Sequence, residues 1–428
     1  MPEQWRILGE RIREHIWIIP MTCAVVAAIA AELMVIVDQE AIDATDAFFL
    51  FGGGPESARE TLSTIASAML TFTGLVFTIT MLVLQLASNQ LSPRVIRTFL
   101  RDRTNQVVLG IFVATFVHAL VVLRSVRGDE EFVPALAVMW GYGLLLVAVA
   151  AFIYYIDHMA HAIRASTVIA SVGDETRSSL DRLFPEEVGD EPEVEPPIAM
   201  GPPLRTVGAS DRSGVLVSID EDGLMRLAVE HDGVLEVVPR VGDFVAAGSP
   251  LIRIHAERLP FLDEKLQKTV ATDRERSMEQ DTPFGIRQLV DMAERALSPS
   301  LNDPTTAVQA IDQMHDILRR LATKRFPSRV RLDDEGRPRL LLRRPDWPDY
   351  VHLALDEVRQ YGATSLQVMR RLRAMLEDLM EAAPEERRGP LRVQLDLLDA
   401  SVARSFPDEH DREVARDTGT VAAGDADS

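Results

Sequence analysis

The polar residues that could do chemistry in this sequence stand out in one apolar stretch, TIASAMLTFTGLVFTITMLVLQLASNQ, residues 64–90. On a helix, several of them recur at spacings of three, four and seven residues, which places them on one face. This polar stripe consists of Thr64, Ser67, Thr71, Thr78 and Gln85, with Gly74 among them. Hydroxyl groups in this arrangement can bond to a neighbouring helix or line a polar pathway.

Two interpretations of the stripe follow from the behaviour of small polar residues in apolar surroundings. Small and hydroxyl-bearing residues let two helices approach closely, which predicts a packing seam. The same groups could instead face water along a pathway within an oligomer. Packing is the favoured interpretation, because small-residue stripes are usually seams. The stretch contains no charged residue, so it predicts no proton relay.

A basic stretch follows the stripe directly. In SPRVIRTFLRDR, residues 92–103, Arg94, Arg97 and Arg101 fall on one face of a short helix, and apolar residues largely cover the other. The pattern is typical of a helix that lies on anionic lipid headgroups. A solvated basic loop explains the same arginines, and both interpretations stay open.

A second candidate site is the polar stretch ALSPSLNDPTTA, residues 296–307. It would present Ser298, Asn302, Asp303 and Thr305 at the N-terminus of a helix, where anions bind readily. An ordinary capped turn between two helices explains the same residues and is favoured.

Recognisable catalytic motifs are absent from the sequence. It contains no G-x-S-x-G, Walker loop, H-E-x-x-H or G-x-G-x-x-G pattern. Asp157 and His161 lie one helical turn apart, but no third metal ligand is nearby in the sequence. We therefore predict no catalytic residue, no cofactor and no metal site.

The composition excludes some classes of protein. With 65 acidic against 45 basic residues, the chain of 428 residues has a formal net charge of −20. A nucleic-acid-binding protein would normally carry a basic patch or stripe, so no nucleic-acid partner is predicted. Cys23 is the one cysteine, which excludes an intrachain disulfide and a multi-cysteine zinc site.

Long apolar runs occupy the first part of the chain. A bilayer core about 30 Å thick requires roughly 20 apolar residues per helix. Four runs meet this requirement, at about residues 16–37, 62–87, 106–123 and 132–156. We therefore expect four transmembrane helices in contact with the lipid bilayer.

The arginine distribution predicts the orientation of these helices. The N-terminal tail and the loop after the second span are rich in arginine, whereas the loop after the first span has Arg59 among many acids. Arg124 and Arg127 in the loop after the third span favour the opposite orientation. The balance predicts that both termini are cytoplasmic.

The remaining sequence predicts a cytosolic α+β region. Short apolar strands separated by Asp-Gly turns indicate a small β-barrel or sandwich, and VGDFVAAGSPL (241–251) resembles biotinyl/lipoyl hammerheads and efflux-adaptor barrels. Helical periodicity then predicts a bundle, with Thr282 and Asp303 as helix caps. The predicted segments are a transmembrane domain with a helical extension (1–184), an acidic Pro-rich linker (185–204), a β-module (205–258), a helical bundle with a hairpin near 329–343 (259–406), and a disordered acidic tail (407–428).

Two stretches carry a family resemblance. Residues 58–127, and DTPFGIRQLVDMAERALSPSLNDPTTAVQAID at 281–312, resemble a bacterial family of predicted membrane proteins, number 2254 among the domains of unknown function. The resemblance covers most of residues 10–400 and implies a multi-pass inner-membrane protein. It brings no established activity and no functional residues. Asp157 stands where relatives often have a histidine, which further weakens a metal site.

Three functions are compatible with this sequence. The first is an oligomeric channel- or transporter-like assembly with a cytosolic regulatory domain, based on the polar stripe. The second is a membrane-anchored scaffold or sensor that transports nothing, which would use a cytosolic protein partner. An enzyme acting at the membrane surface ranks last. A homo-oligomer and anionic lipid headgroups are further expected partners.

Overall fold

The computed structural model describes residues 17–40, 54–90, 103–126, 132–162, 164–187, 201–209, 213–255 and 263–418. The chain divides into two compact units, residues 1–167 and 168–428. The first contains the predicted spans, and the second contains helices together with small sheets.

The four predicted apolar spans are confirmed as helices. They are α1 (Ile18–Glu40), α2 (Pro55–Gln90), α3 (Arg103–Ser125) and α4 (Ala135–Ala162). All four are long and apolar enough to cross a membrane. At 36 residues, α2 is much longer than a bilayer requires. Many large apolar side chains on these helices are exposed, as expected of surfaces that face lipid.

Helix α3 lies at the centre of the first unit, since it packs against α1, α2 and α4. A side chain on Gly110 would come within 3.0 Å of Cys23 Sγ, so α1 and α3 approach closely there. Phe112 of α3 packs against Phe72 of α2 and Phe152 of α4, with ring centroids 5.8 and 6.4 Å apart. These contacts tie three helices together.

Several polar side chains of the first unit bond to groups on other helices. Buried His118 donates from Nε2 to the Ala137 carbonyl over 2.9 Å, which links α3 to α4. Asp38 accepts from the Leu136 and Ala137 N–H groups, so the end of α1 caps α4. Glu32 forms an ion pair with Arg124. Apolar surroundings make an unpaired polar group costly, which explains this matching.

The second unit begins within α5 (Ala165–Leu183), which follows α4 after a break near Arg164. Its strands are β1 (Arg205–Gly208), β2 (Gly214–Ile219), β3 (Val234–Val237), β4 (Phe244–Val245), β5 (Pro250–His255), β6 (Val270–Asp273), β7 (Val330–Leu332) and β8 (Pro338–Leu341). They form a five-stranded sheet in the order β1-β5-β3-β8-β7 and a three-stranded sheet in the order β4-β2-β6. Closure into a barrel or sandwich stays a prediction.

The predicted hairpin near residues 329–343 is present as β7 and β8, but it joins the large sheet. Leu340 of β8 pairs in parallel with Leu235 of β3, and both side chains are fully buried. The buried Arg339 donates to Asp333 at 2.8 Å and to Asp232 at 2.7 Å, which ties the hairpin to the turn before β3. The hairpin therefore completes the β-module rather than the helical bundle.

One stretch predicted as strand and turn is a helix. Helix α6 (Glu221–Glu230) contains the Asp222–Gly223 pair that suggested a hairpin turn. Asp220 caps this helix by accepting from the Gly223 N–H at 2.8 Å, and Glu221 and Asp222 favour its N-terminus. The cap and the acidic first turn outweigh the turn preference of the Asp-Gly pair.

Most of the chain after residue 259 is helical, as the apolar periodicity predicted. After the short α7 (Asp263–Gln267), its helices are α8 (Thr282–Ala296), α9 (Pro304–Ala322), α10 (Trp347–Tyr361), α11 (Leu366–Ala382), α12 (Arg388–Ser405) and α13 (Glu409–Arg416). Asp303 caps α9 as predicted, but Asp281 caps α8 in place of Thr282. Helix α13 forms within the predicted disordered tail, because Ala415 is buried in the bundle.

Helices α8 and α10 meet at a cluster of three carboxylates around one arginine. Arg287 pairs with Glu357 and with Asp291, at 2.9 Å to the latter, while Glu294 lies 4.0 Å away. Burial, reinforced by the neighbouring Glu357 carboxylate, raises the pKa of Glu294 to about 7. At neutral pH the folded protein therefore holds a proton that the unfolded chain releases.

This cluster predicts a pH dependence of stability. Because the folded pKa of Glu294 lies above its ordinary 4.5, its contribution to stability is lost as the pH rises from about 4.5 through about 7. We expect Glu294→Gln to raise the thermal unfolding temperature at pH 8 and to change it little at pH 4. The exposed Glu409→Gln provides the control and should leave the profile unchanged. A Glu294→Gln profile that parallels the wild type at every pH would contradict the assignment.

Candidate functional sites

The polar stripe faces outward from the first unit. The side chains of Thr64, Ser67, Thr71, Thr78 and Gln85 are exposed. The face of α2 that packs inward is apolar and includes Leu62, Ile65, Met69, Val76 and Val83. The chain's own described helices therefore do not cover the stripe, and they enclose no pathway lined by it.

The threonine hydroxyls of the stripe are satisfied by their own helix. Thr64 donates to the Glu60 carbonyl at 2.8 Å, Thr71 donates to the Ser67 carbonyl at 3.0 Å, and Thr78 donates to the Gly74 carbonyl at 2.8 Å. Such bonds to the preceding turn let a hydroxyl exist in apolar surroundings without an external partner.

Off the stripe, Thr80 makes a contact between helices. Its hydroxyl lies 2.8 Å from the hydroxyl of buried Tyr155 on α4, which also donates to the Val76 carbonyl at 3.1 Å. This contact links α2 to α4 inside the unit.

A hydroxyl bonded within its own helix and a hydroxyl bonded to another helix should contribute different amounts to the stability of the protein. Thr80→Val should destabilise the protein by about 0.6 kcal/mol, the average for bonds between membrane helices, because Tyr155 loses a partner. Thr78→Val removes only a bond within one helix and should cost less. Thermal unfolding of both variants in the same detergent measures the difference. An equal or larger loss for Thr78→Val would show that its outward hydroxyl has a partner.

The other predicted sites have different outcomes. Arg94, Arg97 and Arg101 lie outside the described residues. Asp157 accepts from the His161 ring through its backbone carbonyl at 2.8 Å. No group of three His, Cys, Asp or Glu side chains in the described part of the chain is placed to hold a metal ion.

The polar loop between α8 and α9 forms a capped turn. Asp303 accepts from the Thr306 N–H at 3.1 Å, and the Asn302 N–H donates to the Ser298 carbonyl at 2.9 Å. Ser298 donates its hydroxyl to the Arg295 carbonyl at 2.7 Å, and Thr305 is exposed. These bonds stay within the turn, so its geometry supports a structural role.

A site that sequence reasoning missed lies in the second unit. A cavity of about 1050 Å³ opens among the end of α5, the start of α6, the α9–β7 loop, the β8–α10 loop and the turn before α12. Six arginines line it: Arg182, Arg325, Arg329, Arg331, Arg344 and Arg387. Three carboxylates, Glu186, Glu221 and Asp346, lie among them. In a chain whose overall charge is strongly negative, this arginine cavity carries an excess of positive charge.

Arg387 fixes one wall of the arginine cavity. It is buried, and its Nη1 donates to the carbonyls of Leu321, Ala322 and Lys324 at 3.1, 3.0 and 2.8 Å. The guanidinium also lies over the Phe326 ring, 4.7 Å from the centroid. These contacts hold the end of α9 and the loop that follows it.

The segment after α5 forms the opposite rim. The Arg325 N–H donates to the Glu186 carbonyl at 2.8 Å, and Glu187 and Lys324 form an antiparallel bridge. Backbone bonds therefore join two distant parts of the chain at the cavity mouth, and the Arg325 and Glu186 side chains extend from this rim.

The internal ion pairs leave part of the positive charge available. Arg344 donates to Glu221 at 2.7 Å, and Arg331 approaches the same carboxylate at 3.5 Å. Arg329 pairs with Asp346 at 3.0 Å. The buried Nε of Arg344 has no hydrogen-bond partner among the described residues. A ligand with several anionic oxygens could exchange with the exposed pairs around the cavity.

Comparison with known proteins agrees with the apolar first unit. The model of a family described as predicted membrane protein (DUF2254) matches residues 13–378. An uncharacterised protein of Mycobacterium tuberculosis strain H37Rv is 36% identical over 374 residues, which cover 85% of this chain and 71% of the relative. An uncharacterised protein of Mycobacterium bovis matches with the same identity and coverage. No solved structure matches the chain.

Proposed function

Because the chain belongs to the family of predicted membrane proteins DUF2254, we propose that it is a membrane-anchored sensor that binds a phosphate-bearing ligand in the arginine cavity. The observation that carries this proposal is the set of six arginines, opposed by three carboxylates, around a cavity of about 1050 Å³. Its volume is comparable to that of small-molecule binding sites. Of the three functions compatible with the sequence, this is the membrane-anchored sensor, now with a class of ligand.

The chemistry of arginine supports a phosphate group in particular. A guanidinium presents planar donors that match the oxygen atoms of phosphate and remains charged at physiological pH. Arg325, Arg329 and Arg331 are between about one third and three fifths exposed, so they remain accessible despite their ion pairs. The overall acidity of the chain disfavours a nucleic acid, which leaves a small polyanion as the favoured partner.

The arginine distribution along the sequence supports a cytoplasmic position for this cavity. Arginine-rich tails and loops face the cytoplasm in multi-pass membrane proteins. On that rule we place the chain in the bacterial inner membrane with both termini in the cytoplasm. The cavity would then meet soluble phosphate compounds of the cell interior.

Binding of inorganic tripolyphosphate tests the proposal. Titration calorimetry of the full-length protein in detergent should show binding that weakens as salt is added, because charged groups dominate the contact. We expect Arg325→Ala combined with Arg329→Ala to lower the affinity by about tenfold or more. No detectable binding at about 1 mM tripolyphosphate would overturn the proposal.

A matched control is available on α12. Arg392 resembles Arg325 in exposure, 56% against 57%, and each pairs with one exposed glutamate. Arg392 does not line the arginine cavity. Arg392→Ala should therefore leave tripolyphosphate affinity unchanged. An equal loss in this control would indicate a general effect of surface charge.

The outward stripe on α2 favours a second candidate function, a homo-oligomeric channel- or transporter-like assembly. The exposed stripe is available to a second copy of the chain, and its small residues permit close approach. Because the threonine hydroxyls are already bonded within their helix, this contact does not require water. A packing contact between copies is therefore better supported than a pore.

Cysteine crosslinking in membranes tests this assembly. With Cys23 replaced by Ala, Thr71→Cys should give a disulfide-linked dimer on oxidation. Leu146→Cys, an exposed position on α4, should give little. Equal crosslinking at both positions, or none at Thr71→Cys, would contradict the contact. Ion flux through liposomes containing the protein would then separate a channel from an assembly that transports nothing.

A further inference from the structure

A smaller cavity of about 150 Å³ adjoins the arginine cavity. Five residues line both: Leu183, Glu221, Pro327, Arg344 and Pro345. The smaller cavity, here called the inner chamber, lies where the β-module meets the helical bundle. The shared walls make the two cavities a single compound site with a wide charged part and a narrow inner part.

Apolar side chains form much of the inner chamber. Its walls include Phe184, Ile219, Val241, Leu342 and Tyr350. Phe184 and Tyr350 pack edge to face, with ring centroids 6.3 Å apart. The chamber therefore offers apolar and aromatic contacts, in contrast to the guanidinium groups of the arginine cavity.

Polar residues at the chamber are tied to the protein itself. The Gln280 amide accepts from the Ile219 N–H at 2.9 Å and donates to the Ile219 carbonyl at 3.3 Å. Asp281, also in the lining, accepts two bonds from Arg276 at 2.8 and 2.9 Å and caps α8. These partners neutralise the one deeply buried carboxylate of the chamber, so it presents no free negative charge to a ligand.

The volume of the inner chamber restricts the group it can hold. An apolar cavity of about 150 Å³ accommodates a benzene-sized ring. This space suits one flat aromatic group, a single-ring base more closely than a two-ring base, and is too small for a long acyl chain. A phospholipid could place its headgroup among the arginines, but its chains would find no matching space in the inner chamber.

From these two adjoining cavities we infer that the ligand is a nucleoside polyphosphate, with its phosphates among the arginines and its base in the inner chamber. The inference rests on the proposed function, because it assigns a ligand class to the same site. Arg344 lies where both parts of such a ligand meet, since it lines both cavities. The base gains apolar contacts that a bare polyphosphate cannot make.

Comparison of tripolyphosphate with nucleoside triphosphates tests the inference. Both carry three phosphates, so any gain in affinity reports on the nucleoside. In titrations of the full-length protein in detergent, at least one of ATP, GTP, CTP and UTP should bind about tenfold tighter than tripolyphosphate, or better. Equal affinity would overturn the nucleotide inference and leave the proposed anion site intact. No binding of either class would overturn the proposed function itself.

A graded substitution locates the base. Val241 is half-buried, lines the inner chamber and does not line the arginine cavity. Val241→Leu should weaken nucleotide binding modestly and Val241→Phe by about tenfold, while tripolyphosphate affinity stays within about twofold. Thermal unfolding and size-exclusion profiles check that both variants fold. If neither folded variant weakens nucleotide binding, the base does not occupy the chamber.

Competition with lipid vesicles tests whether the arginine cavity holds the headgroup of a phospholipid or a soluble nucleotide. Vesicles of phosphatidylcholine with phosphatidic acid, compared with phosphatidylcholine alone, should not displace the bound nucleotide. If phosphatidic acid vesicles displace tripolyphosphate from a protein that binds no nucleotide more tightly than tripolyphosphate, the arginines hold a lipid headgroup and the nucleotide inference is wrong.

Discussion

The buried guanidinium of Arg387 is the interaction on which the arginine cavity of the second unit depends. A buried charge is costly unless hydrogen bonds surround it, and Arg387 meets this requirement with three backbone carbonyls and one aromatic face. Its own carbonyl accepts from the indole N–H of buried Trp347 at 2.8 Å, which anchors the first turn of α10. One residue thereby joins the end of α9, the start of α10 and the turn before α12. Because these segments form walls of the arginine cavity, Arg387 positions the more exposed arginines that line it.

The two units treat polar groups in opposite ways, and this difference indicates where ligand chemistry resides. In the first unit, His118 and Asp38 are paired inside, and the stripe threonines are satisfied by their own helix. In the second unit, the arginines lining the cavity outnumber the carboxylates beside them. A paired polar group has little left to offer a ligand, whereas excess guanidinium groups favour an anion. These contrasts are why we propose ligand recognition in the second unit.

Local patterns predicted the elements whose causes are local. The four spans follow from apolar length, and the Asp303 cap follows from its position before Pro304. The stripe residues are all exposed on α2, and periodicity alone could not show whether their face points inward. Helix α6 was missed because Asp-Gly also forms turns, and here the Asp220 cap prevails. The structure adds the tertiary packing that decides between such alternatives.

The arginine cavity could not be predicted from the sequence because no single stretch contains it. Its arginines come from four separate segments between residues 182 and 387, and chain reversals bring them together. Two short stretches, RFPSRVR (325–331) and RRPDWP (343–348), contain a signal in retrospect, since each combines several arginines with proline in a loop. Proline restricts the backbone and lowers the entropy lost when a loop becomes ordered. Loops of this composition are suited to hold like charges close together against their repulsion. Because an anionic ligand would relieve that repulsion, this arrangement favours the binding of an anion.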